Sequence, residues 1–499
     1  MWRLFQLEKD LSSAEHPFHK FGTGNTESLV TTPKANGVDI RALLLKFHGA
    51  YYSANLMRLV VIGREPLDDL EAMVVGRFNA IPNIDAPAPT FGGALPFGPD
   101  QLGRLVRVVP VMEMRVLQLS WPLPPQKAFY KTKPTRYFAH LLGHESGGSV
   151  LAALKKEGWA DGLSAGEGSA GSDFSSFQIS IELTEAGLEH VEEVTTVVFK
   201  YIGMLKRAGV VQWIWEEEKS VAEMQFRFKE KEEPASASSR YVASMHDYPP
   251  AEVFSGGALY LEYDAAVLEA VQKELTVDSL MIQVVSKCQE TDAQEKWYET
   301  KYKVERISDT LRTKLVAAEA AEDAALHLPA VNVFVPTDFE IRPAPAESAS
   351  AEGEPKLLID TEKLKLWHKQ DVEFKKPKAM IYMDLATPFA YHSPRSAVYT
   401  RLFTAMVEDV LNEYSYEAEL AGLHYSLSNT AKGMQLLVSG YNHKLAELLK
   451  AIVGKIASFG EWADPQRFTL LKDQSKRSWA NFYKSQPYGL GRLGAVKRR

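Results

Sequence analysis

A helix that runs straight into a strand occurs near the start of the chain and again about 225 residues later. In the first copy, Val38–His48 carries Ile40, Leu43, Leu44 and Phe47 at helical spacing and leads into Asn55-Leu56-Met57-Arg58-Leu59-Val60-Val61. In the second, Ala265–Leu275 carries Val267, Leu268 and Val271 and leads into Ser279-Leu280-Met281-Ile282-Gln283-Val284-Val285. The two strands agree in residue type and in several identities. Self-similarity at so long a spacing indicates duplicated domains of about 225 residues rather than a solenoid.

A strand–turn–helix unit also recurs. Leu56–Ile62 passes through Glu65-Pro66, with proline expected at the first helical position, into Leu67, Leu70, Val74 and Phe78. Phe177, Ile179, Ile181 and Leu183 alternate as a half-buried strand, Thr184 can cap, and Leu188, Val191, Val194, Val198 and Leu205 form a helix stripe. Met434–Val438 leads through Gly440-Tyr441-Asn442 into Leu445, Leu448, Leu449, Ile452 and Ile456. The expected fold is α+β, with helices packed on mixed or antiparallel sheets in duplicated domains.

Pro343–Pro355 (PAPAESASAEGEP) has too few large apolar groups to offset its ordering entropy and reads as a linker. The repeat length then divides the chain. Residues 1–87 are expected to close one domain, 88–342 to form a complete second domain, and 356–499 to begin a third. Both ends are thus expected to be truncated. The tail Gly489–Arg499 shows no periodicity and reads as frayed.

A net charge of −7 and a pI near 6.0 leave no basic footprint, so nucleic acid is not expected as a partner. No apolar run is long enough for a membrane helix, and Met1–Asp10 carries charges where a signal peptide would be apolar. The single cysteine, Cys288, excludes an intrachain disulfide framework and reads as a small apolar residue at a strand end. These features together give a cytoplasmic expectation.

Zinc hydrolysis of a peptide bond requires about three protein ligands, an open coordination position and a base. Of the twelve histidines only His140 and His144 stand four apart, and Leu141-Leu142-Gly143 separates them. Neither H-E-x-x-H nor H-x-x-E-H is present, and Glu145 lies just outside the pair. A structural histidine pair or a substrate contact therefore takes precedence over a metal site. Gly162-Leu163-Ser164-Ala165-Gly166 matches G-x-S-x-G, but a helix precedes it and a glycine/serine loop and strand follow, the reverse of a nucleophile elbow.

Glu145-Ser146-Gly147-Gly148-Ser149 opens a helix whose amides could hold a carboxylate or a peptide carbonyl, or could simply be capped. The strand after the glycine/serine loop offers backbone pairing to an extended peptide. Arg227–Lys231 (RFKEK) reads as a solvated helix face.

Taken in order, several stretches resemble the insulin-degrading-enzyme group of the pitrilysin-type, inverted-motif zinc metallopeptidases. They include Trp2–Lys9 (WRLFQLEK), His16–Asn25 (HPFHKFGTGN), Leu45–Glu65, His140–Trp159 (HLLGHESGGSVLAALKKEGW), Phe226–Lys229 (FRFK) and Leu411–Leu423 (LNEYSYEAELAGL). The resemblance implies a four-domain enzyme whose two halves enclose a chamber for peptide substrates, with zinc in the first domain. It places the H-x-x-E-H helix and the further glutamate ligand before Met1, so no zinc is expected on this chain and no hydrolysis by it alone.

The resemblance also implies a surface in the second domain that anchors the substrate's amino-terminal end. Here that surface corresponds to Ala139, His140, Leu141, Gly143, Glu145, Leu163, Ala165 and Glu167. Ala139 and Ala165 replace common glycines, and Glu167 stands where glutamine can occur. Implied partners are peptides and either a second copy or the other half of the chamber. A non-catalytic peptide-binding or partner subunit is the alternative reading.

Overall fold

The computed structural model describes residues 2–91, 95–341, 354–371, 373–482 and 484. The chain divides into two compact units. One holds the residues up to His144, Gly148–Pro329 and the described residues from Asn481; the other holds Glu145–Gly147 with Ala330–Ala480.

Seven strands make the sheet of the first unit: β1 (Arg104–Val109), β2 (Val116–Leu123), β3 (Ala160–Glu167), β4 (Ser175–Leu183), β5 (Met281–Val285), β6 (Ala293–Gln294) and β7 (Lys301–Arg306). Their order is β3-β4-β2-β5-β1-β7-β6. Only β1 and β5 run parallel, so the sheet is mixed, as expected. Strict alternation explains its main core. Leu117, Leu119, Trp121 and Leu123 of β2 and Phe177, Ile179 and Ile181 of β4 point to one buried face. The helix Val191–Ala208 covers that face with Val194, Val198, Phe199 and Ile202, and Ala265–Glu274 adds Leu268 and Val271. Leu7, from the helix Trp2–Leu11, belongs to a second apolar cluster with Val106, Val108 and Val285.

Thr184 caps as the sequence suggests, its Oγ1 accepting from Gly187 N at 3.0 Å. The helix behind it breaks at His190 into Glu185–Glu189 and Val191–Ala208, where the continuous apolar stripe predicts one piece.

The two copies of the repeat have different fates. In the second, Met281–Val285 becomes β5, hydrogen-bonded to β2 and β1 on its two edges. In the first, Ile40–Tyr51 forms a helix capped by Asp39, which accepts from Ala42 N at 3.1 Å, yet none of its residues is buried. Leu44 is 61% and Phe47 55% exposed. The expected strand Asn55–Val61 is not a strand: Ala54–Leu56 is a short 3-10 turn, and 57–62 pairs with no strand among the described residues. A strand's backbone groups need a neighbour, and no strand among the described residues stands beside this segment. Pro66 occupies the N-cap position of the next helix, Leu67–Phe78, which therefore starts one residue later than expected, and makes no capping hydrogen bond.

The second unit contains β8 (Lys356–Asp360) and β9 (Lys365–His368) as a hairpin, and β10 (Lys378–Ala386), β11 (His424–Thr430) and β12 (Gly433–Tyr441) as an antiparallel sheet ordered β10-β12-β11. The 27-residue helix Pro394–Leu420 begins with Ser393 accepting from Ser396 N at 3.1 Å. It buries Leu402, Met406, Val407 and Leu411, while the sheet buries Leu427, Leu436 and Val438 and Asn442–Ala457 buries Leu445, Leu448 and Ile452.

Residues 343–353 of the expected linker and the tail Gly489–Arg499 lie outside the described residues. Cys288 is exposed just beyond the end of β5, its Sγ 3.3 Å from Ser286 Oγ.

Candidate peptide-anchoring site

The helix Pro134–Leu142 starts with Pro134 in its first turn, where no backbone donor is needed, and buries Tyr137, Phe138, Leu141 and Leu142. It stops at Gly143, whose N–H donates to Ala139 O at 2.9 Å. The helix's own last turn requires that glycine, while β3 approaches it at about ordinary contact distance. A β-carbon there would sit 2.6 Å from Ala139 O and 3.4 Å from both the β-carbon and the amide nitrogen of Ala165. Ala139 and Gly143 thus lie beside Ala165, while Leu141 and Leu163 are buried as packing residues.

β3 is an edge strand. It pairs with β4 through Leu163↔Ile181, Ala165↔Ile179 and Glu167↔Phe177, and its outer edge has no strand partner among the described residues. The sequence pattern names no strand over Ala160–Glu167, because glycines, a serine and alanines give no apolar alternation. It assigns backbone pairing instead to the following strand, β4, and the structure corrects this: β4 is bonded on one side to β3 and on the other to β2. Small residues along an open edge suit close approach of a second backbone. Glu167 is exposed at the strand's end, one oxygen accepting from Ser175 Oγ at 3.1 Å.

His140 is buried. Its Nδ1 stands 3.1 Å from Glu218 Oε1, but the alignment is too poor for a hydrogen bond, so the approach is electrostatic. Tyr260 Oη donates to the other Glu218 oxygen at 3.2 Å. The His144 ring meets His140 edge-on at 5.1 Å between centroids. Burial, reinforced by the nearby His140, pushes His144 down to about 3.

This donor set does not fit zinc. One nitrogen of His140 faces Glu218 rather than an open ligand position, and no group of three or more histidine, cysteine, aspartate or glutamate side chains among the described residues could hold a metal ion. The helix start at Val150 is capped, Ser149 Oγ accepting from Ala152 N at 3.1 Å.

Glu145 belongs to the second unit, where its Oε2 accepts from Asn412 Nδ2 at 2.7 Å. The structure therefore gathers Ala139, His140, Leu141, Gly143, Leu163, Ala165 and Glu167 in the first unit and places Glu145 in the other. Glu218, Tyr260 and Asn412 escape the sequence reading, because no local pattern links residues 78 to 267 positions away.

Residues 39–221 match the peptidase M16 inactive domain and residues 226–493 the middle or third domain of peptidase M16, so the chain belongs to the peptidase M16 family. Within that family it is similar to insulin-degrading enzyme. It is 42% identical over 489 residues to the enzyme of Homo sapiens, covering 98% of this chain and 47% of that protein. To "Insulin-degrading enzyme-like 1, peroxisomal" of Arabidopsis thaliana it is 41% identical over 489 residues, covering 98% and 50%. The chain thus spans about half the length of these relatives. The crystal structure of pitrilysin shares the fold, with a TM-score of 0.74 and 24% identity over 98% of this chain and 51% of that one. No helix among the described residues is long and apolar enough to cross a membrane.

Proposed function

We propose that this chain is the peptide-anchoring portion of a zinc metalloendopeptidase that degrades peptides, and that it does not hydrolyse them by itself. The observation that carries the reading is the open outer edge of β3, lined by small residues and backed by the end of the Pro134–Leu142 helix. An extended peptide would add to that edge through backbone hydrogen bonds, beside Ala139, Gly143, Ala165 and Glu167, while His140, Leu141 and Leu163 hold the surface from behind. Glu145, in the second unit, is proposed in its own right as an acceptor for a cationic group such as a peptide's amino terminus. The chain's 499 residues contain no H-x-x-E-H and no H-E-x-x-H, so the zinc and its base belong to the remainder of the enzyme.

Calorimetry with a free-amine peptide and a twin N-methylated along its backbone tests the reading. The parent should bind with micromolar to millimolar affinity, roughly −4 to −8 kcal/mol, and the twin at least tenfold more weakly. Equal binding would remove edge pairing from the account. Chelator-sensitive cleavage of a fluorogenic peptide by this purified chain would overturn the inactivity.

The same reading keeps residues 1–87 as the end of a catalytic-type domain, 88–342 as the anchoring domain and 356–499 as part of a third, located in the cytoplasm. Limited proteolysis should leave 88–342 longest, and imaging of a tagged chain beside a peroxisomal marker tests the compartment.

A further inference from the structure

Glu145 is read above as the acceptor of a peptide's amino terminus, and its carboxylate is held from one direction by a neutral donor. We infer that Asn412 is a positioning residue for Glu145: it orients the carboxylate toward a cationic ligand without cancelling its charge. This inference rests on the proposed role of Glu145. An ionised carboxylate only accepts hydrogen bonds, so the Asn412 side chain must present its NH2 group, as the 2.7 Å Nδ2–Oε2 distance requires. One such bond occupies one of about four lone-pair positions and leaves the rest for a ligand.

The support behind Asn412 is rigid. It stands on the long Pro394–Leu420 helix between Leu411 and Ser415, both buried. Asn332 Nδ2 donates to Glu417 O of the same helix at 2.7 Å. The surrounding charge favours a cation. Burial raises Glu419 above the usual carboxylate range, and repulsion from Glu145 adds to that rise, while His424 opposes it. Replacing the neutral amide by lysine or arginine would neutralise Glu145 and close the place of the incoming ammonium. An amide directs the carboxylate and leaves its charge available.

The experiment uses the full chain and measures, by calorimetry, the ratio of affinities for a free-amine peptide and its acetylated twin. Asn412→Leu and Asn412→Ala are both made, so that one folded variant, checked by thermal melting, is enough. Each should lower the free-amine preference about three- to tenfold, the scale of one ordinary net hydrogen bond because the ligand loses only the orientation of its acceptor, and leave acetylated-peptide binding unchanged. Asn412→Gln, which keeps a donor on a longer arm, should restore part of the preference. In a Glu145→Gln background the Asn412 substitutions should have no further effect on the ratio.

A folded Asn412 variant with the full preference overturns the inference, provided Glu145→Gln abolishes that preference. If Glu145→Gln itself leaves the preference intact, the amino-terminus reading of Glu145 fails and the inference falls with it. Equal weakening of both peptides by Asn412→Leu would show a purely structural role and also overturns it.

Discussion

His140 Nδ1 and Glu218 Oε1 stand 3.1 Å apart in the first unit without the alignment of a hydrogen bond, while the second Glu218 oxygen accepts from buried Tyr260. Glu218 is therefore the shared neighbour of two buried polar groups. Its removal as Glu218→Ala should destabilise the first unit by about 1–3 kcal/mol, since Tyr260 loses its acceptor in the interior. Glu218→Gln keeps an acceptor and should cost clearly less. Urea melts followed by the fluorescence of Trp215, which packs on Tyr260 at 5.6 Å, would report both.

His144 makes the first unit sensitive to acid. Its folded value is about 3 against an ordinary 6.5, so between these limits the unfolded chain binds a proton that the folded chain does not. Stability contributed by keeping this ring neutral is full above about pH 6.5 and is lost as pH falls toward 3, at up to about 1.4 kcal/mol per pH unit. His144→Gln should flatten the slope. Denaturant melts of both proteins at pH 7.5, 5.5 and 4.5 should show the variant less stable at the highest pH and the gap narrowing on acidification; parallel profiles would count against it.

Gly143→Ala should disturb the end of the Pro134–Leu142 helix, which lies against the edge strand. The new methyl would stand 2.6 Å from Ala139 O, a backbone atom that cannot rotate away. A loss of about 1–3 kcal/mol is expected, as for overpacking elsewhere. Peptide affinity, measured where wild type and variant are both fully folded, should fall as well. An unchanged melt would mean that the helix end relaxes freely.

The helix Ile40–Tyr51 is capped like a well-formed helix yet presents its apolar residues to solvent, with Leu44 and Phe47 more than half exposed. Surfaces of this kind promote association. Leu44→Ser with Phe47→Ser should lower aggregation in light scattering and reduce binding of an apolar dye, while changing the melt of the seven-stranded sheet by less than about 0.5 kcal/mol.

The sequence by itself determined most of the local structure. Period-two alternation in Phe177, Ile179 and Ile181 specifies β4 because each turn of the pleat reverses the side chain, and the 3.6-residue stripe through Val194, Val198 and Leu205 specifies the helix that covers it. Thr184 marks a helix start because its short side-chain oxygen can meet a free amide three residues on. Tertiary structure alone decided which strands have partners. Similar sequences at Leu56–Val61 and Leu280–Val285 became a segment with no strand partner among the described residues and a central strand, because pairing depends on neighbours that no local pattern encodes. It also decided that β3 would be the open edge, and that Glu218 would meet His140 and Asn412 would meet Glu145, since those encounters are set by how distant helices pack and not by the residues beside them.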